Sequence, residues 1–167
     1  MPELVPWFLF LHVLGAIIAF GPAFSFPVIG GLGGAEPMHG NFATRVSRAI
    51  STKRVIPVAV TMPITGIGLI WAAGIDPFNR GTRWLLVGIV LYVVVLTFAI
   101  VVQLPAVQRV IDLTAGPPQG AAPAPPPSGP PPGLREAVRR VQRGGTFMAS
   151  MVVVIAFLMV VKPSFGF

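Results

Sequence analysis

The residue in this chain best suited to chemistry is His12, because it lies inside an uncharged stretch. No Asp, Glu, Lys or Arg occurs from Leu4 to Gly34. At about 1.5 Å per residue, such a stretch can cross a bilayer core of about 30 Å as a helix. An imidazole inside a membrane span can bind a metal or haem iron, carry a proton, or donate a hydrogen bond to another helix. His12 is therefore the first candidate functional residue.

Helical spacing predicts that His12 faces protein. Small residues at three- and four-residue spacing let a second helix approach closely, whereas lipid contact does not require them. The face of the helix that carries His12 also contains Phe8, Gly15, Ala16, Ala19 and Ala23. We predict that Gly15, Ala16 and Ala19 pack against another helix and that His12 lies in that contact.

The composition is that of an integral membrane protein. The 167 residues are 54% hydrophobic and 10% charged, whereas a soluble domain carries about 25% charged residues. The chain has no cysteine, which excludes disulfides, thiolate chemistry and sulfur-anchored zinc or iron–sulfur sites. The formal net charge of +7 comes from basic residues beside apolar spans, where they set topology. We do not expect nucleic acid as a partner.

The hydrophobic pattern predicts one all-α domain over residues 1–167, a polytopic four-transmembrane-helix bundle. Its spans are predicted at about residues 4–29, 55–75, 84–107 and 144–162. Pro63 lies inside the second span, where it removes a backbone N–H and leaves a carbonyl that neighbours must satisfy. Amphipathic patterns in residues 35–54 and 134–143 predict one interfacial helix in each cytoplasmic connection.

Other small and polar side chains recur at helical spacing in the later spans, and we predict that they pack helices together. These residues are Thr61, Thr65, Gly68, Tyr92 and Ala149. For Thr61, Thr65 and Gly68, lining a ligand is the alternative role. The Gly30–Gly34 cluster is predicted to loosen the end of the first span. Residues 115–133 are rich in proline, which predicts a disordered cytoplasmic linker with polyproline II character.

The distribution of charge predicts the orientation. Basic residues concentrate in the two long connections, at Arg45, Arg48, Lys53, Arg54, Arg109, Arg135, Arg139, Arg140 and Arg143. The opposite side carries only Arg80, Arg83 and Lys162. The positive-inside rule then places both termini outside a bacterial-type cytoplasmic (inner) membrane, with the lipid bilayer as a partner. Trp7, Trp71 and Trp84 fall at the outer span ends, as expected for interfacial indoles.

Three motifs resemble a known family. They are the segment from Phe10 to Pro22, the segment from Pro63 to Gly68, and the segment from Leu158 to Pro163. They look like the four-span family called domain of unknown function 2269, and the resemblance omits the proline-rich linker. It implies a four-span membrane protein, and no activity is established for the family.

The Leu11-His-Val-Leu-Gly15 motif more distantly resembles copper-resistance D-type proteins and haem-containing four-span protoporphyrinogen oxidases. In the latter a first-span histidine, which corresponds to His12, is implicated in haem binding. The resemblance implies haem b as a candidate cofactor and, for an enzyme, a haem-dependent membrane oxidoreductase. This chain departs from those proteins because His39 lies outside the spans and Lys162 lies at a span end.

Three functions remain open at the level of sequence. The favoured one is an accessory or structural subunit that packs with itself or with a larger electron-transfer-type membrane complex. The second is a haem or metal protein with His12 as ligand and Met159 or Lys162 as a further iron ligand. The third is a transporter in which His12 titrates, although no Asp or Glu lies inside a span to continue a proton path. Hydrolase motifs are absent, and no catalytic residue is assigned.

Overall fold

Four long helices make up most of the protein. The computed structural model describes residues 2–115, 129 and 131–163. Its helices are α1 (Val5–Ala35), α2 (Gly40–Ala73), α3 (Arg80–Thr114) and α4 (Leu134–Val161), each long and apolar enough to cross a membrane. The described residues contain no strand. The predicted all-α polytopic membrane bundle is confirmed, while residues 116–128 and 130 of the predicted disordered linker lie outside the described residues.

The helices run antiparallel to their sequence neighbours. Helix α1 packs along α2, α3 packs along α4, the start of α2 packs against the end of α3, and the second half of α1 contacts α4. The beginning of α1 and the end of α4 therefore lie at the same end of the bundle, which we call the terminal end. The opposite end carries most of the arginines and is called the basic end.

The helices extend beyond the predicted spans at the basic end. Helices α2 and α3 contain 34 and 35 residues, or about 50 Å at 1.5 Å per residue, against a bilayer core of about 30 Å. The two amphipathic segments predicted as separate interfacial helices are instead the first turns of α2 and α4. The prediction differs from the structure because each amphipathic segment continues into the following span as one unbroken helix.

Two π-helical turns explain how the helices pass through proline. Ser51–Val55 precedes Pro57, and Ala99–Gln103 precedes Pro105. In each turn the residue just before the proline donates its N–H to the carbonyl five positions back, from Ile56 to Ser51 and from Leu104 to Ala99. The widened turn lets the helix continue past a residue that has no N–H to donate.

The glycine cluster of α1 departs from its predicted role, and one of the three tryptophans is buried. The Gly30–Gly34 cluster does not loosen α1, which continues to Ala35. Trp7 and Trp71 are exposed at the terminal end, but Trp84 is buried with 8% exposure. The Lys162 Nζ atom lies 5.7 Å from the centroid of the Trp84 ring, so this indole packs inside the bundle at the terminal end.

Tyr92 closes the backbone gap left by Pro63. Proline has no N–H, so the carbonyl four positions earlier, that of Ala59, loses its helical donor. The Tyr92 hydroxyl on α3 donates to this Ala59 carbonyl on α2. Ala59 belongs to the buried cluster with Ala19 and Met62, against which Tyr92 packs. The neighbour required by the proline is thus supplied by another helix.

We expect the Tyr92 hydrogen bond to matter only while residue 63 is proline. Tyr92→Phe should lower the free energy of unfolding by about 1 kcal/mol, a typical value for a hydrogen bond between membrane helices. In a Pro63→Ala background the new N–H can satisfy Ala59, so Tyr92→Phe should cost much less. SDS unfolding in mixed micelles, followed by circular dichroism, measures this double-mutant cycle. Equal costs in both backgrounds would contradict the pairing.

Candidate functional site

The candidate site centres on a hydrogen bond between His12 on α1 and Thr65 on α2. The His12 Nδ1 atom lies 3.0 Å from the Thr65 Oγ1 atom. The Thr65 hydroxyl donates to the Met62 carbonyl at 2.9 Å, so its oxygen is left to accept from His12. The proton of the neutral imidazole is therefore assigned to Nδ1, and the Nε2 atom carries the lone pair.

Small residues bring the two helices close on either side of His12. A Cβ added at Gly66 would lie 3.3 Å from the His12 Cε1 atom. At Gly68 an added Cβ would overlap the Phe8 ring, and at Gly15 it would lie 3.2 Å from the Met62 Cγ atom. We call this contact the α1–α2 seam, and it holds the imidazole against protein on one side.

The other residues of the first span extend the same contact toward the middle of the bundle. Ala19 has 4% exposure and joins the buried cluster, against which Ala16 also packs. The Phe20 ring lies edge-on to Tyr92 with the ring centroids 6.2 Å apart. Phe20 thereby connects the α1–α2 seam to α3.

The candidate iron ligands at the end of α4 lie against α3. Met159 packs on Gly88, where an added Cβ would come within 2.7 Å of the Met159 Cε atom. Lys162 lies over the Trp84 ring. The contacts of these two side chains are therefore with the third helix, whereas those of His12 are with the second.

Two further predicted packing residues lie outside the α1–α2 seam. Thr61 is exposed, and its hydroxyl donates to the Val58 carbonyl of its own helix at 2.8 Å. Ala149 is half-buried on α4. Within residues 2–115, 129 and 131–163, no three His, Cys, Asp or Glu side chains are grouped to hold a metal ion.

Sequence patterns missed two polar contacts between helices. Asn41 on α2 donates to the Ile111 carbonyl at 3.0 Å and to the Thr114 hydroxyl at 2.9 Å, both at the end of α3. Gln103 on α3 donates to the Val141 carbonyl of α4 at 3.0 Å. Gln103 is a polar amide in an otherwise apolar stretch, which was an available signal, whereas Asn41 lies in a polar segment and gave none.

Comparison with known proteins places the whole bundle in one family. Residues 7–163 match the family model described as "Predicted integral membrane protein (DUF2269)". No curated protein and no solved structure matches the chain at a significant level. The match covers all four helices and confirms the resemblance carried by the His12, Pro63 and Lys162 motifs. The chain therefore belongs to the family of integral membrane proteins called domain of unknown function 2269.

Proposed function

We propose that this protein is an accessory or structural membrane subunit, which acts through helix packing with itself or with other membrane subunits. The observation that carries the proposal is that the groups best suited to chemistry are engaged on neighbouring helices. His12 donates to Thr65, Met159 packs on Gly88, and Lys162 covers Trp84. Such contacts hold helices together and require no bound cofactor.

The charge distribution supports a bacterial-type cytoplasmic membrane with both termini outside. The arginines of α2 and α4 lie at the basic end, and the bundle places both terminal helix ends at the other. Basic residues next to membrane spans are retained on the cytoplasmic side.

An open glycine face on α1 supports contact with another helix. Gly30, Gly31 and Gly34 have no atom within 4 Å of an added Cβ. Val28 and Leu32 beside them are 64% and 63% exposed. Each glycine inside a helix costs about 1 kcal/mol relative to alanine. A close helix contact at this face would offset that cost, since small residues permit near approach of backbones.

Extraction of the full chain into polymer nanodiscs, with identification of copurifying chains, tests the proposal. We expect a stable oligomer or a defined partner, and loss of most of it in Gly30→Leu/Gly34→Leu. Gly145→Leu is the matched control, because Gly145 on α4 is equally open. A lone monomer with no stable partner would overturn the proposal. Loss of the partner in the control alone would move the contact to α4.

A haem protein is the second candidate, because the orientation of His12 suits an axial ligand. Histidine ligands commonly donate one ring N–H to the protein and bind metal through the other nitrogen, and here Nδ1 is held by Thr65. His12 would hold haem iron through its Nε2 atom, while the contacts of Met159 and Lys162 are with α3. The absorption spectrum of the same nanodisc preparation, expressed with haem supplied, decides this candidate by the presence or absence of a Soret band.

A further inference from the structure

A groove at the basic end combines positive charge with an apolar floor. A cavity of about 860 Å³ opens between α3 and α4, with Phe98, Val102 and Phe147 among its apolar lining residues. Arg139 and Arg143 line the same cavity. A smaller cavity of about 320 Å³ shares Val102 and continues the groove along α3. We call the larger cavity the arginine groove.

The depth of these residues along α4 matches the layers of a bilayer. With Lys162 placed at the boundary of the hydrocarbon core at the terminal end, Phe147 lies about 22 Å and Arg143 about 28 Å along the helix axis, at about 1.5 Å per residue. A bilayer core is about 30 Å thick, so Phe147 falls within the hydrocarbon and Arg143 at its boundary. Arg139 and Arg135 lie one and two turns farther out. The groove therefore runs from the acyl layer into the headgroup layer.

Two aromatic rings build the apolar floor. Phe98 of α3 and Phe147 of α4 meet edge to face, with ring centroids 4.9 Å apart. Gly144 lines the groove just above them, where an added Cβ would overlap the Gln103 side chain. The floor is thus closed by close packing between the two helices, and an acyl chain can lie along its outer surface.

The positive charge of the groove is not balanced by the protein. Arg135, Arg139 and Arg143 recur every four residues along α4, and Arg140 joins them in the lining. Within the described part of the chain, none of these four guanidinium groups has a hydrogen bond or ion pair with another residue. Glu136 is the one carboxylate among the lining residues. The planar guanidinium fork matches the geometry of a phosphate.

We propose that the arginine groove binds an anionic phospholipid from the leaflet at the basic end. Arg139 and Arg143 hold its phosphate, and its acyl chains lie over Phe98 and Phe147. The ligand must be negative at headgroup depth and apolar below it, a combination that a phospholipid supplies and a free phosphate ion does not. Basic pockets between membrane helices recognise lipid headgroups by this chemistry. The site does not depend on the proposed packing function.

Native mass spectrometry of the delipidated full-length protein tests the site. Dioleoyl phosphatidylglycerol should bind about tenfold more tightly than dioleoyl phosphatidylcholine, which carries the same chains and no net charge. In Arg139→Gln/Arg143→Gln the affinity for phosphatidylglycerol should fall about tenfold, to the level of phosphatidylcholine. Lys53→Gln/Arg54→Gln is the matched control, because it removes the same charge from the basic end outside the groove. We expect less than a twofold change there.

Two outcomes of these binding measurements would overturn the site, and a competition experiment provides a third. Equal binding of the two lipids by the unaltered protein is one, and it decides the question even if the groove variant fails to fold. Equal losses in the two double variants are the other, because they would indicate general attraction to charge. Glycerophosphoglycerol, which has the headgroup without acyl chains, should not displace the lipid. Displacement at comparable concentration would assign the groove to soluble phosphodiesters instead.

Discussion

Replacing Gly33 with leucine should separate α1 from α2 and lower the free energy of unfolding by about 3 kcal/mol. A Cβ added at Gly33 would lie 2.8 Å from the Ala43 Cβ and 3.4 Å from the Gly40 Cα. Neither atom can rotate away, because one is bound directly to the backbone and the other belongs to it. The two helices must move apart to admit the larger side chain, which also disturbs the short Glu36–His39 connection.

The neighbouring glycine provides a close control for Gly33→Leu. Gly34 has no atom within 4 Å of an added Cβ, so Gly34→Leu should leave stability unchanged or raise it slightly through helix propensity. SDS unfolding of the purified proteins in mixed micelles, monitored by circular dichroism, compares the two. Similar free energies for both variants would contradict the close approach of the helices. The unfolding experiment uses the isolated protein. It is therefore independent of the nanodisc experiment, in which Gly34→Leu is expected to weaken binding of a partner.

The bundle was predictable because its main signals are local. An uncharged stretch around His12 is long enough to span a bilayer whatever surrounds it. The helical period placed Gly15 and Ala19 on the same face as His12, and in the structure these two residues lie in or beside the α1–α2 seam. Pro63 necessarily frees a carbonyl, so the need for an outside donor followed from counting backbone N–H groups. Each inference used neighbours within a few turns.

Contacts between helices were not predictable to the same degree. The partner of His12 is Thr65, 53 residues away, and a side-chain period does not state which helices touch. For the same reason Met159 and Lys162 were grouped with His12 from their shared depth, while their observed contacts are Gly88 and Trp84. The continuous helices through Pro57 and Pro105 depend on π-helical turns. Such turns carry no distinct residue signature in a single sequence.

His12 should contribute to stability through Thr65, and His12→Ala should lower the free energy of unfolding by about 2 kcal/mol. About 1 kcal/mol of this is the hydrogen bond between helices, and the rest is the space left beside Gly66 when the ring is removed. Thr65→Val keeps the shape of the side chain and removes the acceptor, so it should cost about 1 kcal/mol. The double variant should cost less than the sum, because both single changes break the same bond.

His12→Asn separates a structural histidine from one that binds a ligand. The asparagine Nδ2 donor can stand where the His12 Nδ1–H stands, so the bond to Thr65 and most of the stability should survive. Asparagine offers nothing in place of the Nε2 lone pair, so haem or metal bound through that atom would be lost. We expect His12→Asn to unfold within about 1 kcal/mol of the unaltered protein and to retain its copurifying partner. If the variant is stable but lacks a Soret band or bound metal that the unaltered protein has, the main role of His12 is coordination and not packing.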